Sequence, residues 1–325
     1  MSRAARVGWF LVAVAVTSAV LWWMLDAKTV ASLGHALQHA RWGYIVTGLV
    51  LLPALQWVRA WRFQLLLSGE LERPPFEQFR IGVYLVLLNY LLPFKTGELS
   101  FPWLMNKRFG TSLGHAAGVL LVTRVVDMVC VVGVAAGCAL ALLPDWQGLG
   151  HGTLWALLLV ALAALVMFPT VARALHALAG RVFVKFPRVM QLVSRLLQGV
   201  TALQPGGAHA HFLAMTTLIW LMQFAISYCA GAALGSFKVI DTVFANSTAA
   251  VAFALPVNGV AGLGPAQAAW ALTIKQLGYP FELAVSTALL WHSTALVSSV
   301  LLSGIVALVP RGNIPGVKEV DAGEP

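Results

Sequence analysis

Apolar runs of about twenty residues recur along almost the whole chain, and a helix of that length spans about 30 Å of hydrocarbon. Hydrophobic residues make up 59% of the 325 residues and charged residues only 10%, which excludes a water-soluble globule. No polar interval is long enough to fold alone. The sequence therefore predicts an all-α polytopic membrane protein in which residues 1–325 form a single integral membrane domain.

Full crossings are predicted for six apolar segments, at 7–25, 42–60, 113–143, 152–170, 211–233 and 283–309. The first has a basic start like a signal peptide, but its core is too long and no small-residue cleavage site follows, so we interpret it as a retained helix. Arginines recur along the interval 171–209, which is predicted to be an amphipathic segment on the cytoplasmic surface of the membrane. Residues 311–325 are predicted to form a flexible C-terminal tail.

Two apolar stretches, Phe76–Leu92 and Asp241–Leu255, are shorter and end at a Leu-Pro step. Each passes through a Gly-bearing break and resumes as a second apolar arm, at 99–109 or 266–277. This pattern predicts two re-entrant helical hairpins, because a break in the backbone survives in a membrane only where protein or a wet cavity surrounds it. Eight full crossings are the alternative.

The distribution of Lys and Arg favours the hairpins. With both termini in the cytoplasm of a cell with an inner membrane, fifteen of the 21 basic residues lie on the cytoplasmic side, and this set includes Arg59 and Arg62. Only Lys28, Arg41, Lys238 and Lys275 lie outside, while Lys95 and Arg124 fall within the membrane. The first hairpin then enters from the cytoplasm and the second from the outside, which predicts an inverted repeat.

Residue spacing agrees with the inverted repeat. Glu98 precedes Arg124 by 26 residues, and Gln267 precedes His292 by 25, in each case from a hairpin arm to the following crossing helix. Transporters commonly place opposed broken helices around a substrate site near the midplane of the bilayer. The sequence therefore predicts that Pro93–Glu98 and Pro256–Gly264 line one cavity.

Two blocks of sequence resemble the flippase-like transmembrane region of lysylphosphatidylglycerol synthases. The first is YLVLLNYLLPFKTGE at 84–98 with TRVVD at 123–127, and the second is ALPVNGVAGLGPAQ at 254–267. An upstream RAWRFQLL at 59–66 also fits. The chain departs from the pattern at Gln267, where the family usually carries Glu, and at His292, near which it often carries Arg.

The resemblance covers roughly residues 10–310 and implies a stand-alone member without the soluble synthase domain. In the family, this region is associated with lipid translocation. The resemblance therefore implies a lipid transporter that moves an anionic phospholipid or a polyprenyl-phosphate-linked lipid. It implies no cofactor and no nucleic-acid partner, whereas partner enzymes of lipid or envelope synthesis fit the family.

Arg124 and Asp127 are the first candidate substrate-binding residues. They lie one turn apart on an otherwise apolar helix, and Arg124 is eleven residues from Leu113, about 16 Å along the helix axis. A charge at such depth is costly and marks a functional candidate. An internal ion pair that fixes helix packing is the alternative.

The tips of the two hairpins supply the other candidates. Lys95, Gly97 and Glu98 could hold a phosphate through an ammonium group and free backbone N–H groups, and Glu98 could also accept a proton. Three glycines of the second break could present backbone donors to an anion, and Gln267 and His292 complete the set; these glycines are Gly259, Gly262 and Gly264. The alternatives are an interfacial turn at the first tip and close helix packing at the second.

Catalytic and metal sites are not predicted. The three cysteines, Cys130, Cys138 and Cys229, lie in apolar runs, and no nucleophile–His–acid set is present in the sequence. A membrane-embedded enzyme acting on a lipid phosphate remains one alternative to transport. A non-catalytic partner that recruits envelope enzymes through 173–195 is the other.

The predicted topology can be tested with single-cysteine tags. Tags near Gly69 and Gln198 are expected to react from the cytoplasm, and tags near Gln147 and Ser236 from the outside, because these positions lie between predicted crossings. The measurement is labelling with a membrane-impermeant thiol reagent before and after the membrane is opened. Labelling of Gly69 and Gly110 from opposite faces would contradict the first hairpin.

Overall fold

The computed structural model describes residues 37–67, 74–143, 150–182, 190–191, 193–197, 207–255 and 259–310, together with four isolated positions before residue 37. Within these ranges the regular structure is helical. Nine α-helices follow in chain order: α1 (Trp42–Leu66), α2 (Pro75–Leu91), α3 (Ser100–Phe109), α4 (Leu113–Leu142), α5 (His151–Val182), α6 (Gly207–Leu234), α7 (Val239–Ala254), α8 (Pro265–Gln276) and α9 (Phe281–Leu308).

Five helices, α1, α4, α5, α6 and α9, are long and apolar enough to cross a membrane. They correspond to five of the six predicted crossings, and the protein is a polytopic α-helical membrane protein. The predicted crossing at 7–25 and the tail at 311–325 lie outside the described residues. Helix α5 continues to Val182, into the segment predicted to lie on the membrane surface.

Helices α2 and α3 form the first hairpin, and the Leu-Pro step ends its first arm. Leu92, which precedes Pro93, has an extended backbone with ψ 131° because the proline ring excludes the helical conformation at the preceding residue. A 3-10 turn, Pro93–Leu99, then leads into α3. Helix α3 ends at Gly110, whose φ of +68° allows the left-handed C-cap, and Ser112 caps α4 by accepting a hydrogen bond from the N–H of His115 at 3.2 Å.

The two ends of the first hairpin lie side by side. Glu77, in the first turn of α2, forms an ion pair with Arg108, in the last turn of α3, at 2.9 Å. Glu77 also pairs with Arg80 at 3.3 Å, and the Arg80 guanidinium donates to the carbonyl of Val309, just beyond α9, at 2.7 Å. A segment that crossed the bilayer once would separate Glu77 from Arg108 by the membrane thickness, so this contact supports a hairpin over a crossing.

Helices α7 and α8 form the second hairpin in the same way. Leu255, before Pro256, is extended with ψ 141°. The Tyr279 hydroxyl, just after α8, donates to the Asp241 carboxylate in the first turn of α7 at 2.6 Å. The Thr248 and Thr273 hydroxyls lie 2.8 Å apart between the two arms. The two ends of the second hairpin are therefore also adjacent.

The two hairpins enter the bundle from opposite ends of α4, a helix of 30 residues and about 45 Å. Phe101, Met105 and Phe109 of the first hairpin pack against Ala116 and its neighbours near the start of α4. The second hairpin packs near the end of α4, where Phe244, Leu154, Ala136 and Ala139 form a separate cluster. The two hairpins therefore pack against opposite ends of the same helix.

Glu77 is the residue on which the junction of the first hairpin depends, because its carboxylate is 4% exposed and lies between two guanidinium groups. Replacing Glu77 with Gln is expected to lower the free energy of unfolding by about 3–5 kcal/mol, since it leaves buried cations without their counter-ion. Thermal or denaturant unfolding in detergent measures this loss. Glu282→Gln, in the first turn of α9, is the matched control, and equal stability of the two variants would contradict the assignment.

Candidate functional site

Both hairpins line one cavity of about 330 Å³ inside the bundle. Helices α1, α4, α6 and α9 complete its walls. One part of the lining is apolar and includes Val86, Met128, Val131, Ile219, Phe253 and Trp291. The other part carries charged and polar side chains, namely Arg59, Asn89, Tyr90, Lys95, Glu98, Arg124, Asp127, Trp220, Gln223, Asn246, Gln267 and His292. A lining of this kind suits a ligand that has a polar head and an apolar body.

Asp127 is paired with Arg62 of α1. The two guanidinium nitrogens of Arg62 donate to the two carboxylate oxygens at 2.6 and 2.8 Å, and the Arg62 side chain is 2% exposed. Trp220 of α6 adds an indole N–H bond to the same carboxylate at 3.3 Å. The internal ion pair of Arg124 with Asp127, which the sequence analysis left open as an alternative, is therefore not formed. Residues one turn apart share a face of α4, but Arg62 reaches Asp127 from another helix.

Arg124 pairs instead with Glu98 at the tip of the first hairpin. Its Nε lies 2.8 Å from a carboxylate oxygen of Glu98, and the two side chains are 39% and 22% exposed. The neighbour of Arg124 on its own helix, Asp127, is thus not its partner. The carboxylate of Glu98 therefore already balances the charge of Arg124. This ion pair holds the tip of the first hairpin against α4.

Lys95 lies at the same tip in an unusual backbone conformation. Its φ is +55°, in the left-handed region, which costs a residue with a side chain roughly 1–2 kcal/mol. The ammonium nitrogen lies 4.5 Å from the centroid of the Phe253 ring in α7, so Lys95 joins the first hairpin to the second. Among the described residues, no carboxylate forms a salt bridge with Lys95.

Arg59 is a cavity residue that the sequence analysis placed on the cytoplasmic side. Its Nη2 donates to the side-chain oxygen of Gln223 in α6 at 3.1 Å, and within the described ranges no salt bridge engages it. Arg59 therefore lines the cavity, and Arg62 is buried against Asp127. The sequence does indicate that both arginines lie within α1 rather than after it, because the apolar pattern of this helix continues to Leu66.

Gln267 connects the second hairpin to α9. Its side-chain oxygen accepts a hydrogen bond from the N–H of Gly264 at 2.8 Å, so its amide nitrogen faces Nδ1 of His292 at 2.9 Å. Nδ1 must then be the acceptor, which assigns the neutral tautomer with its proton on Nε2. The Tyr90 ring makes an edge contact with His292, with ring centroids 5.5 Å apart.

The pairs Glu98–Arg124 and Gln267–His292 occupy equivalent places in the two halves. In each half, a residue of the hairpin contacts a residue of the following long helix, at 2.8 Å in the first and 2.9 Å in the second. The similar sequence spacing of the two pairs thus corresponds to two equivalent contacts. The first contact is an ion pair, and the second is a neutral hydrogen bond.

The glycines of the second break do not present free backbone donors. The N–H of Gly259 donates to the carbonyl of Leu263 at 2.9 Å, that of Gly262 to the carbonyl of Gly259 at 3.3 Å, and that of Gly264 to Gln267. The prediction that these three groups bind an anion is corrected on this ground. Their role is conformational, since Gly262 and Gly264 have φ values of +73° and +148°.

Gly97 has a packing role at the first tip. It is buried, and a Cβ built on it would lie 2.4 Å from the carbonyl carbon of Leu88 and 2.5 Å from the nitrogen of Asn89. The absence of a side chain therefore lets the turn pack directly on the last turns of α2. This close contact favours the packing interpretation of Gly97 over phosphate binding.

Two asparagines of the cavity carry polar atoms without a partner among the described residues. Both amide atoms of Asn246 are unbonded although the residue is 1% exposed, and the side-chain oxygen of Asn89 is also unbonded. Buried amides without partners are costly, so these groups are suited to a ligand that enters the cavity. Neither residue was singled out from the sequence, because a lone Asn in an apolar helix has no distinctive pattern.

Residues 10–303 match the family model described as the lysylphosphatidylglycerol synthase TM region. The chain belongs to this family. The match spans nearly the whole chain, and the family relates to membrane lipid synthesis or translocation. No curated protein and no solved structure matches the chain.

Gly97→Ala is expected to disrupt the first tip, because the new Cβ meets backbone atoms that cannot move aside as a side chain can. A loss of about 1–3 kcal/mol in the free energy of unfolding is expected from such overpacking. Gly82→Ala is the matched control in α2, where an added Cβ has no heavy atom within 4 Å. Unfolding of both variants in detergent checks the prediction, and equal effects would contradict it.

Proposed function

We propose that this member of the family moves an anionic phospholipid or a lipid-linked phosphate across the inner membrane. The headgroup binds in the cavity between the hairpins, and its principal contacts are Arg59 and Lys95. Arg124 lines the same cavity and adds a weaker contact. The observation that carries the proposal is the presence of two cations in the cavity that form no salt bridge among the described residues, because the two nearby carboxylates are paired with Arg62 and Arg124.

The charge balance of the site supports an anionic headgroup. Four basic side chains, Arg59, Arg62, Lys95 and Arg124, contribute to the site, and two carboxylates, Glu98 and Asp127, oppose them. Two positive charges remain in a protein whose solvent is largely hydrocarbon. Cations at such depth attract anionic groups strongly, since little water screens them.

The architecture supports movement across the bilayer. Two hairpins that enter from opposite ends of α4 meet at one cavity, and we propose that both are re-entrant, with the two chain termini in the cytoplasm. Alternating exposure of a central site to either side is the usual mechanism of inverted repeats. The apolar part of the lining is suited to the first methylene groups of the lipid chains.

Replacing Lys95 or Arg59 with Gln is expected to weaken binding of phosphatidylglycerol about tenfold, because each variant removes one uncompensated charge, a loss of about 1.4 kcal/mol. Phosphatidylcholine is expected to respond less. The measurement is transbilayer movement and binding of labelled lipids in reconstituted liposomes, with and without a pH gradient.

The matched controls are Arg173→Gln and Lys275→Gln, which remove exposed cations of α5 and α8 outside the cavity. They are expected to retain the preference of the unmodified protein for the anionic lipid. If Lys95→Gln and Arg59→Gln fold normally and also retain that preference, the proposed site is wrong.

A further inference from the structure

The charges of the cavity divide into two neutral pairs and two single cations. Arg62 is balanced by Asp127, and Arg124 is balanced by Glu98. Arg59 and Lys95 have no carboxylate partner among the described residues, and they come from different elements, α1 and the first hairpin tip. The cavity therefore holds an excess of two positive charges, one on each of two separate elements.

His292 is a further titratable neighbour, and it does not change this excess. His292 accepts a hydrogen bond at Nδ1 from the amide of Gln267, whose orientation is set by the N–H of Gly264. An imidazolium has no acceptor nitrogen, so this contact requires the neutral ring. The second half of the site thus contributes polarity but no charge.

Charge neutrality then distinguishes between two kinds of phosphate. A phosphate diester, as in most phospholipids, carries one negative charge and leaves one cation of the cavity uncompensated. A terminal phosphate monoester has a second pKa of about 6, so near pH 7 it carries close to two negative charges and balances both cations. An uncompensated charge inside a membrane protein is costly, so the monoester gains the larger binding free energy.

Hydrogen bonding points to the same headgroup. A terminal phosphate offers three acceptor oxygens, whereas a diester offers two that carry charge. The donors available in the cavity include the ammonium of Lys95, the nitrogens of Arg59 that Gln223 does not engage, and the buried, unpartnered amide nitrogen of Asn246. These donors come from three elements and converge on one space.

We infer that the cavity selects a lipid whose headgroup is a terminal phosphate monoester over a lipid with a phosphate diester. This inference rests on the proposed function and specifies its substrate class. Both a diacylglycerol phosphate and a polyprenyl phosphate carry this chemistry. The positions of Arg59 and Lys95 set the selectivity, and the charge-balanced Arg124 contributes less.

The test compares two lipids that differ by one methyl group. Dioctanoyl phosphatidate and dioctanoyl phosphatidylmethanol have the same chains, but the methyl ester removes the second negative charge. Each displaces a fluorescent phosphatidate from the full-length protein in a neutral detergent at pH 7.4, and geranylgeranyl monophosphate forms a third arm. Phosphatidate is expected to bind at least tenfold more tightly than phosphatidylmethanol, and the third arm identifies which lipid body the site prefers.

Lowering the pH to 5 is expected to reduce the ratio of the two affinities toward one, because the monoester then loses its second charge. The protein groups that face the ligand can only gain protons as the pH falls. This makes the cavity more positive and favours the doubly charged lipid, so their titration cannot produce a fall in the ratio. These groups are Arg59, Tyr90, Lys95, Glu98, Arg124, Asp127 and His292.

Two variants test the origin of the selectivity independently. Arg59→Gln and Lys95→Gln each remove one of the two excess charges, so in either variant the affinity ratio is expected to fall below about threefold. Arg173→Gln and Lys275→Gln are expected to retain the full ratio. If one cavity variant does not fold, the other still provides the measurement.

The outcomes separate this inference from the proposed function. Equal affinities for phosphatidate and phosphatidylmethanol in the unmodified protein overturn the inference, while tight binding of both lipids that depends on Arg59 and Lys95 leaves the proposed function standing. Failure of every anionic lipid to bind overturns both. A tenfold ratio that survives in both cavity variants also overturns the inference, because the selectivity then has another source.

Discussion

The bidentate pair between Arg62 and Asp127 is the interaction on which the arrangement of the site depends. A carboxylate near the middle of a long apolar helix requires a counter-ion, and the guanidinium of α1 supplies it at 2.6 and 2.8 Å. Because Arg62 of α1 already pairs with Asp127, Arg124 is available to pair with Glu98. This second ion pair holds the tip of the first hairpin against α4. The same pair leaves Arg59, one turn earlier on α1, without a carboxylate.

The sequence was sufficient to predict the helical class, five membrane-length helices among the described residues, and the breaks that end α2 and α7. These features follow from local properties: the length of apolar runs, the effect of proline on the preceding residue, and the placement of charges. Leu92 and Leu255 both adopt the extended backbone that a Leu-Pro step predicts. A cavity between the hairpins was expected, because a broken backbone inside a bundle must meet other protein or water. On the second hairpin, however, its described lining comes from the two arms, with Asn246, Phe253 and Gln267, and not from Gly259–Gly264.

The partners of the charged residues were not predictable in the same way. Helical periodicity says which residues of one helix share a face, but it does not say which side chain of another helix reaches that face. Arg62 lies 65 residues before Asp127, and no local pattern connects them. Arg59 was misplaced for a related reason, since an arginine near the end of an apolar run can lie at the surface or reach inward. The glycine donors were misjudged because their partners are carbonyl and side-chain groups within the same short turn.

The difference between the two equivalent contacts makes the halves of the molecule respond differently to ionic strength. The Glu98–Arg124 pair is partly exposed, with side chains 22% and 39% accessible, so dissolved ions screen its attraction. The Gln267–His292 contact is buried and uncharged, and salt has no charge there to screen. Raising the salt concentration therefore loosens the attachment of the first hairpin to α4, while the second hairpin stays fastened to α9. A dissolved electrolyte thus weakens the contact of the first hairpin with its long helix and leaves the corresponding contact of the second hairpin unchanged.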